Sequence, residues 1–370
     1  MKTKAAVVYE PGKPIEIEEL ELQGPQDGEV LIRYTYAGLC HSDIHVAHGD
    51  LEARLPMVLG HEGAGIIEEV GAGVTRVQPG DHVVCSFIPN CGTCRWCATG
   101  QQAICDMGAT ILDGYLPGGR FPNTGPKGDY GAMCMLGTFS QYGTIHQNSV
   151  VKVDDDLPLD KAVLVGCGVP TGWGSAVYAA DVQPGETVLV YGVGGIGINA
   201  VQGARYAGAK NVIAVDPLEN KREKAMELGA THAVATAEEA QAVVTELTRG
   251  EMADKAILTV GLMEADVVGA AFGATGKGST IVLTGLNKLE APTVQLPGTI
   301  MTLWKKTVKG TLFGDCNPTR DIPKILGLYQ SGDIKLDEII TNTYTLDQVN
   351  EGYEDLLNGK NVRGVVVHEH

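Results

Sequence analysis

Nine cysteines lie along the 370-residue chain, and four of them crowd together as Cys91-x2-Cys94-x2-Cys97-x7-Cys105. Thiolate is a soft ligand, and four thiolates at this spacing make a closed tetrahedral zinc site, structural because no coordination position is left open. The intervening Gly92, Thr93, Gly100, Gln101 and Gln102 are small or polar, so the lobe has little core of its own and a metal would staple it. A thiol-redox switch or an iron–sulfur centre uses the same residue types. An odd cysteine count in a reducing compartment argues against a disulfide scaffold.

Three further segments set soft or borderline ligands among small residues: Cys40-His41-Ser42-Asp43-Ile44-His45, Gly60-His61-Glu62, and Gly166-Cys167-Gly168-Val169-Pro170-Thr171-Gly172. Cys40, His61 and Cys167 would make a set of two thiolates and one imidazole with a fourth position open, the form of a catalytic zinc. Spacing alone does not assemble them. Taken singly, a Cys is more often a small buried hydrophobe, and a lone His a satisfied core residue.

Gly192-Val193-Gly194-Gly195-Ile196-Gly197 fits G-x-G-x-x-G. The first Gly makes a tight turn, the second lets a pyrophosphate approach the backbone, and the third packs helix on strand. Exposed N–H groups and the helix dipole hold the phosphates. Among 49 glycines such a match arises by chance, but here Asp216 follows at the end of the next strand. A carboxylate there hydrogen-bonds the adenosine ribose and repels a 2′-phosphate, so NAD is expected over NADP. Lys221 and Arg222 just beyond are cations that can accept a 2′-phosphate.

These residues need elements to position them. The first third reads as short β runs, residues 29–36, 65–70 and 81–87, punctuated by Gly, Pro and Asp, which implies a compact β domain. From residue 186 the pattern alternates: strand 186–191, helix 196–209, strand 211–216, helix 221–228, then strands 255–260 and 279–284. Alternation of this kind means a parallel sheet with crossover helices. A helix over 320–329 and a strand over 361–367 close the chain. The acidic run 16–21 reads as a solvated face.

The net charge is −17, with 44% hydrophobic and 20% charged residues. This is a globular composition. An acidic surface repels phosphate backbones, which argues against nucleic acid. No apolar run approaches the ~20 residues a bilayer requires, and residues 1–10 hold too short an apolar stretch for a signal peptide. No membrane partner and a cytoplasmic location are expected.

Over nearly its whole length the chain resembles the zinc-dependent medium-chain alcohol dehydrogenases. The resemblance rests on Cys40-His41-Ser42-Asp43, the pattern G-H-E-x2-G-x5-G-x2-V over residues 60–74, the cysteine lobe, Gly166-Cys167-Gly168, and the glycine fingerprint with Asp216. It implies an α/β fold: a GroES-like β catalytic domain over 1–168 and 313–370, with a Rossmann NAD-binding domain over 169–312. Residues 137–142 and 166–173 look closest to bacterial alcohol dehydrogenases assayed with a nitroso-dye (NDMA) acceptor, some of which keep NAD bound through turnover.

The resemblance also implies roles. Cys40, His61 and Cys167 resemble catalytic zinc ligands, and Cys91, Cys94, Cys97 and Cys105 a structural zinc set, giving two zincs per chain. Glu62 would lie behind the metal and Asp43 would orient His61. Ser42 would hydrogen-bond the substrate oxygen, and His45 would end a proton relay. His41 and Arg363 would face the cofactor pyrophosphate, alongside Gly192, Gly194, Gly195, Gly197, Asp216 and Lys221. The family often has Arg where this chain has His41, so the phosphates meet less charge. Phe87, Leu51 and Met135 would line the substrate pocket. The implied reaction passes a hydride from an alcohol to NAD, yielding an aldehyde or ketone, in a homo-oligomer, dimer or tetramer. Two alternatives share these residues: a thiol-dependent formaldehyde dehydrogenase, and, outside catalysis, a zinc-ribbon or thiol-redox sensor. The sensor accounts for the lobe but not for Cys40, His61, Glu62, Cys167 and Asp216 together. Cys85, Cys134 and Cys316 are left as core.

Overall fold

A computed structural model describes every residue except Leu289, Glu290 and Pro292. The chain divides into two units: one of Met1–Cys167, Asn317–Gln330 and Leu336–His370, and one of Gly168–Cys316 and Ser331–Lys335.

The first unit carries two sheets. Lys2–Val8, Glu16–Leu22, Asn123–Gly125, Gly128–Ala132 and Met57–Val58 close into a small barrel. Ala5, Val7, Leu20, Val58 and Tyr130 fill it. The acidic strand Glu16–Leu22 turns Leu20 and Leu22 inward and leaves most of its glutamates toward solvent, the alternation that a half-buried strand requires. The second sheet runs in the order Val150–Lys152, His82–Cys85, Glu62–Val70, Glu29–Gly38, Arg363–Val367, Ile340–Thr345, with Tyr142–His146 also paired to Glu29–Gly38. The long strand Glu29–Gly38 pairs antiparallel with Glu62–Val70 and brings Gly38 opposite Glu62. Its end therefore delivers Cys40 beside His61 and Glu62.

The second unit is a six-stranded parallel sheet, ordered His232–Val234, Asn211–Val215, Thr187–Tyr191, Ala253–Leu258, Thr275–Leu283, Thr307–Gly310. Numbered along the unit, that order is 3-2-1-4-5-6, the doubly wound Rossmann arrangement. These strands are Val-, Ile- and Leu-rich because parallel strands are covered on both faces. Leu189, Ile213, Ala256 and Ile281 have no exposed surface, and burying each of the larger aliphatic side chains contributes about 1.5–3 kcal/mol. The helix Gly197–Tyr206 runs tight on its neighbours: a Cβ at Gly203 would lie 2.7 Å from Trp173 O.

The expected helices and strands are present with ends shifted by a few residues, as frayed termini produce. Several elements had no legible signal, two of them near the site. Lys2–Val8 is a strand, and the motif beginning at Cys40 opens a helix, His41–His48. That helix is too short and too mixed to show a period. Among the described residues no single helix is long and apolar enough to cross a membrane.

Candidate active site

Four donors from three distant stretches of the first unit converge: Cys40, His61, Glu62 and Cys167, all buried, with ligand atoms within 4.8 Å of one another. Local structure explains each position. Cys40 is the extended N-cap residue of His41–His48, and the helix stops at Gly49, whose left-handed φ of 82° lets its N–H cap the last turn. Asp43 lies in the first helical turn, where a carboxylate suits the dipole. His61 and Glu62 sit at the start of a strand. Cys167 follows Gly166, and a Cβ on Gly166 would lie 2.5 Å from Cys85 O. Only a glycine permits that approach, so the Gly-Cys-Gly run is a packing requirement that seats the thiol.

The hydrogen bonds prepare His61 as a ligand. Asp43 Oδ1 accepts from Gly60 N at 3.0 Å and from His61 Nδ1 at 3.1 Å. A carboxylate only accepts, so Nδ1 carries the ring proton and Nε2 keeps its lone pair. Nε2 is buried and has no hydrogen-bond partner among the described residues. A buried lone pair aimed at two thiols is costly unless a cation takes it, so the donor set fits a metal. The hydrogen bond from Cys167 and the nearby His61 hold the Cys40 thiol well below its usual range against its burial. Cys167 shares that hydrogen bond, and Cys40 together with burial pushes the Cys167 thiol up.

Behind these ligands Glu62 is paired with Arg363, both buried. Burial pushes the Glu62 carboxyl up to about 7, with Arg363 opposing. Gly38 makes room for the pair, since a Cβ there would collide with Glu62 Oε2. Arg363, read as a phosphate partner, therefore also neutralises Glu62, a contact from 301 residues away that no local pattern announces. Ser42 Oγ is 3.7 Å from Cys40 Sγ. His45 is buried and its Nδ1 is 3.1 Å from Asp50 Oδ2. Asp50 was missed from sequence; it fixes the proton on Nδ1 and leaves Nε2 as a base. Phe87 stands edge-on to His61 with ring centroids 6.0 Å apart. Met135 is buried at a φ of 60° with Thr110 Oγ1 3.5 Å from its Sδ. Leu51 is half-buried and donates its N–H to His45 O. His41 opens the helix.

The four-cysteine lobe is assembled too. Cys91 and Cys97 sulfurs are 3.9 Å apart, and Cys94 and Cys105 sulfurs 4.0 Å. Zn–S bonds of about 2.3 Å in a tetrahedron require sulfurs about 3.8 Å apart, so the cage already has the size of zinc. Cys91 Sγ accepts from the N–H groups of Thr93 and Cys94 at 3.4 and 3.3 Å. Burial raises the Cys91 thiol, but those donors outweigh it and bring it down to about 6. Arg76 faces Cys91, Cys97 and Cys105, a cation positioned against three of the four cysteines and invisible to motif reading. Cys85, Cys134 and Cys316 are buried, and burial pushes Cys134 up to about 12.

In the second unit the glycine loop borders a cavity of about 470 Å³ lined by Gly192, Asp216, Leu218, Lys221, Val260 and Val267, within the range of small-molecule sites. Gly192 has a φ of 80°. A Cβ on Gly197 would strike Gly192 O, whereas one on Gly194 would meet nothing closer than Lys221 Nζ at 4.0 Å. The turn and the packing thus account for two glycines, and the third leaves open space for a ligand, as a dinucleotide cradle requires. Asp216 accepts from Val193 N at 3.0 Å and Leu218 N at 2.9 Å. Gly195 shares the loop, its carbonyl accepting from Asn199 Nδ2.

Comparison with known proteins agrees with this arrangement. Residues 26–155 match the alcohol dehydrogenase GroES-like domain, and residues 195–331 match the zinc-binding dehydrogenase family. The chain belongs to the zinc-dependent alcohol dehydrogenase family. An NDMA-dependent alcohol dehydrogenase of Amycolatopsis methanolica is 66% identical over 368 residues, covering 100% of this chain and 99% of that protein. Two solved structures share the fold over 100% of both chains. They are an alcohol dehydrogenase zinc-binding domain protein from Burkholderia ambifaria, with a TM-score of 0.94 at 32% identity, and benzyl alcohol dehydrogenase from Acinetobacter calcoaceticus, with a TM-score of 0.93 at 31% identity. The first unit's sheets are thus the GroES-like portion and the parallel sheet the Rossmann portion of a medium-chain dehydrogenase.

Proposed function

We propose that this alcohol dehydrogenase oxidises an alcohol to an aldehyde or ketone, and the reverse, with one zinc held by Cys40, His61 and Cys167, a second held by Cys91, Cys94, Cys97 and Cys105, and NAD as hydride acceptor. The observation that carries the reading is His61 Nε2: buried, without a hydrogen-bond partner among the described residues, and pointed by Asp43 at the Cys40 and Cys167 thiols. Zinc in such a set supplies a Lewis acid that makes an alcohol proton removable near neutral pH. The chain's own residues do the rest. Ser42 would take the alcohol proton at Oγ as its own hydroxyl proton leaves by way of the nicotinamide ribose, and His45, its Nδ1 held by Asp50, would accept that proton at Nε2. Phe87 offers an apolar edge against which the substrate carbon packs. The Gly192–Gly197 turn and its helix N-terminus receive the NAD phosphates, with Asp216 at the adenosine ribose and Lys221 beside the loop. The 2′-phosphate of NADP would meet the Asp216 charge, so NAD is favoured.

The test is an alcohol panel with NAD, with NADP, and with an artificial nitroso-dye acceptor, before and after chelation. Alcohol-dependent reduction of nicotinamide or dye, lost with the metal, is the expected result; chelator-insensitive turnover contradicts it. A second reading is favoured by the 66% identity to an NDMA-dependent enzyme: NAD stays bound through turnover and is reoxidised in place. Denatured protein should then release about one nicotinamide per chain, and none would remove this reading.

A further inference from the structure

Asp43 carries two oxygens, and the structure accounts for one of them. Oδ1 accepts from both Gly60 N and His61 Nδ1, while Oδ2 is buried with no hydrogen-bond partner among the described residues. A stranded buried carboxylate oxygen is costly, and a native fold retains that cost where a partner is at hand. The partner is on the helix Val349–Leu357. Tyr353 is buried there, and its hydroxyl likewise has no hydrogen-bond partner among the described residues. One atom is an acceptor without a donor; the other is a donor without an acceptor.

Three contacts place them together. Gly352 lets the helix approach, because a Cβ there would lie 2.5 Å from Leu39 Cδ1, next to Cys40. The Tyr353 ring packs edge-on against Phe139 at 6.1 Å, and Phe139 in turn lies against Gly60, where a Cβ would be 2.5 Å from its N. Gly60 is the residue whose N–H binds Asp43. Burial pushes the Tyr353 phenol well up, and the Asp43 carboxylate, within reach to act as its acceptor, pushes it further.

We propose that the Tyr353 hydroxyl donates to Asp43 Oδ2 in the metal-loaded protein and so acts as a positioning residue for the His61 ligand. Asp43 is then held at both oxygens: it cannot rotate, and the His61 ring plane stays aimed at the metal. Outer partners of a ligating histidine affect metal affinity by about 10–100-fold. The C-terminal helix thereby tunes a site whose ligands all lie before residue 168.

The inference rests on the zinc reading of Cys40, His61 and Cys167, and one experiment separates the two. Zinc-loaded protein is mixed with a colorimetric chelator and release is followed in wild type, Tyr353→Phe, Asp43→Asn and the double variant. The four-cysteine lobe serves as the reference within each chain, and thermal unfolding of the loaded proteins checks that Tyr353→Phe, which keeps the ring, stays folded. Two release phases are expected in wild type. Tyr353→Phe should speed one of them on the order of 10-fold, leave the other unchanged, and add nothing in the Asp43→Asn background. Cobalt-loaded Tyr353→Phe should show a shifted ligand-field spectrum. Two phases with wild-type rates in Tyr353→Phe, or an equal speeding with and without Asp43, overturns the inference and leaves the zinc reading standing. A single zinc phase in wild type overturns both.

Discussion

Asp216 shows how one side chain serves structure and selectivity together. Its oxygens brace the glycine loop through Val193 N and Leu218 N, and its charge stands at the rim of the cavity proposed to hold NAD. Asp216→Asn removes the charge and keeps one of the two acceptors, since its amide NH2 cannot accept from the other backbone N–H. Two like charges about 4 Å apart near a surface repel by a few kcal/mol, and 1.4 kcal/mol is about tenfold. NADP use relative to NAD should therefore rise at least on the order of 10-fold in kcat/KM; an unchanged ratio would place selectivity elsewhere. Cys40→Ala removes one sulfur from the converging donor set. Turnover should vanish while circular dichroism stays as in wild type, and residual activity above a hundredth would show that Cys40 is not a ligand. Which residues could matter was legible from the sequence where the chemistry is local, as in the cysteine lobe. Asp50 and Arg76 were not, because neither belongs to a motif; Glu62 and Arg363 were each named, but their pairing was not, because it joins residues 301 apart in the chain.

At the scale of elements, the strand–turn–helix from Thr187–Tyr191 into Gly197–Tyr206 makes two glycines separable. Gly197→Ala forces a methyl onto Gly192 O and should destabilise the second unit by about 1–3 kcal/mol, the cost of overpacking, read as a lower unfolding temperature. Gly194→Ala has space and should leave that temperature unchanged, yet its methyl occupies the phosphate approach, so NAD affinity should fall about tenfold or more. Equal affinity in Gly194→Ala and wild type would mean that the phosphates lie elsewhere. The alternation of strands and helices after residue 186 was readable because each parallel strand is a continuous apolar run. The helix His41–His48 was hidden because its buried residues mix polar Asp43 and His45 with apolar Ile44, Val46 and Ala47. A hydrophobic pattern cannot register a helix whose inward face is an active site. Gly60 and Gly166 were seen as small residues near ligands and Gly38 was not singled out, but the neighbours all three make room for appear only in the folded chain.

Over the whole molecule the charge of −17 sets a field that opposes phosphate, so the proposed NAD would depend on local N–H groups and on Lys221. The first unit is tied at its end by the C-terminal residues: His368 Nε2 is 2.9 Å from Thr138 O, His370 Nε2 is 2.7 Å from Tyr34 O, and Gln141 donates to Glu369 O. Burial lowers the His368 imidazole to about 4, against a backbone contact that raises it. Because its folded value lies below the unfolded one near 6.5, the unfolded chain binds more protons in between. Stability is therefore full above about pH 6.5 and falls as the pH drops toward 4, by about 3 kcal/mol in all. Urea midpoints of wild type and His368→Gln should diverge over that window; parallel curves would show that His368 does not carry the dependence. Two metal sites in one chain are central to the proposed chemistry, and counting zinc in purified wild type and Cys40→Ser measures them most directly. Two zincs per chain are expected in wild type and one in the variant, whereas one in both, or two in both, would contradict a zinc at Cys40, His61 and Cys167.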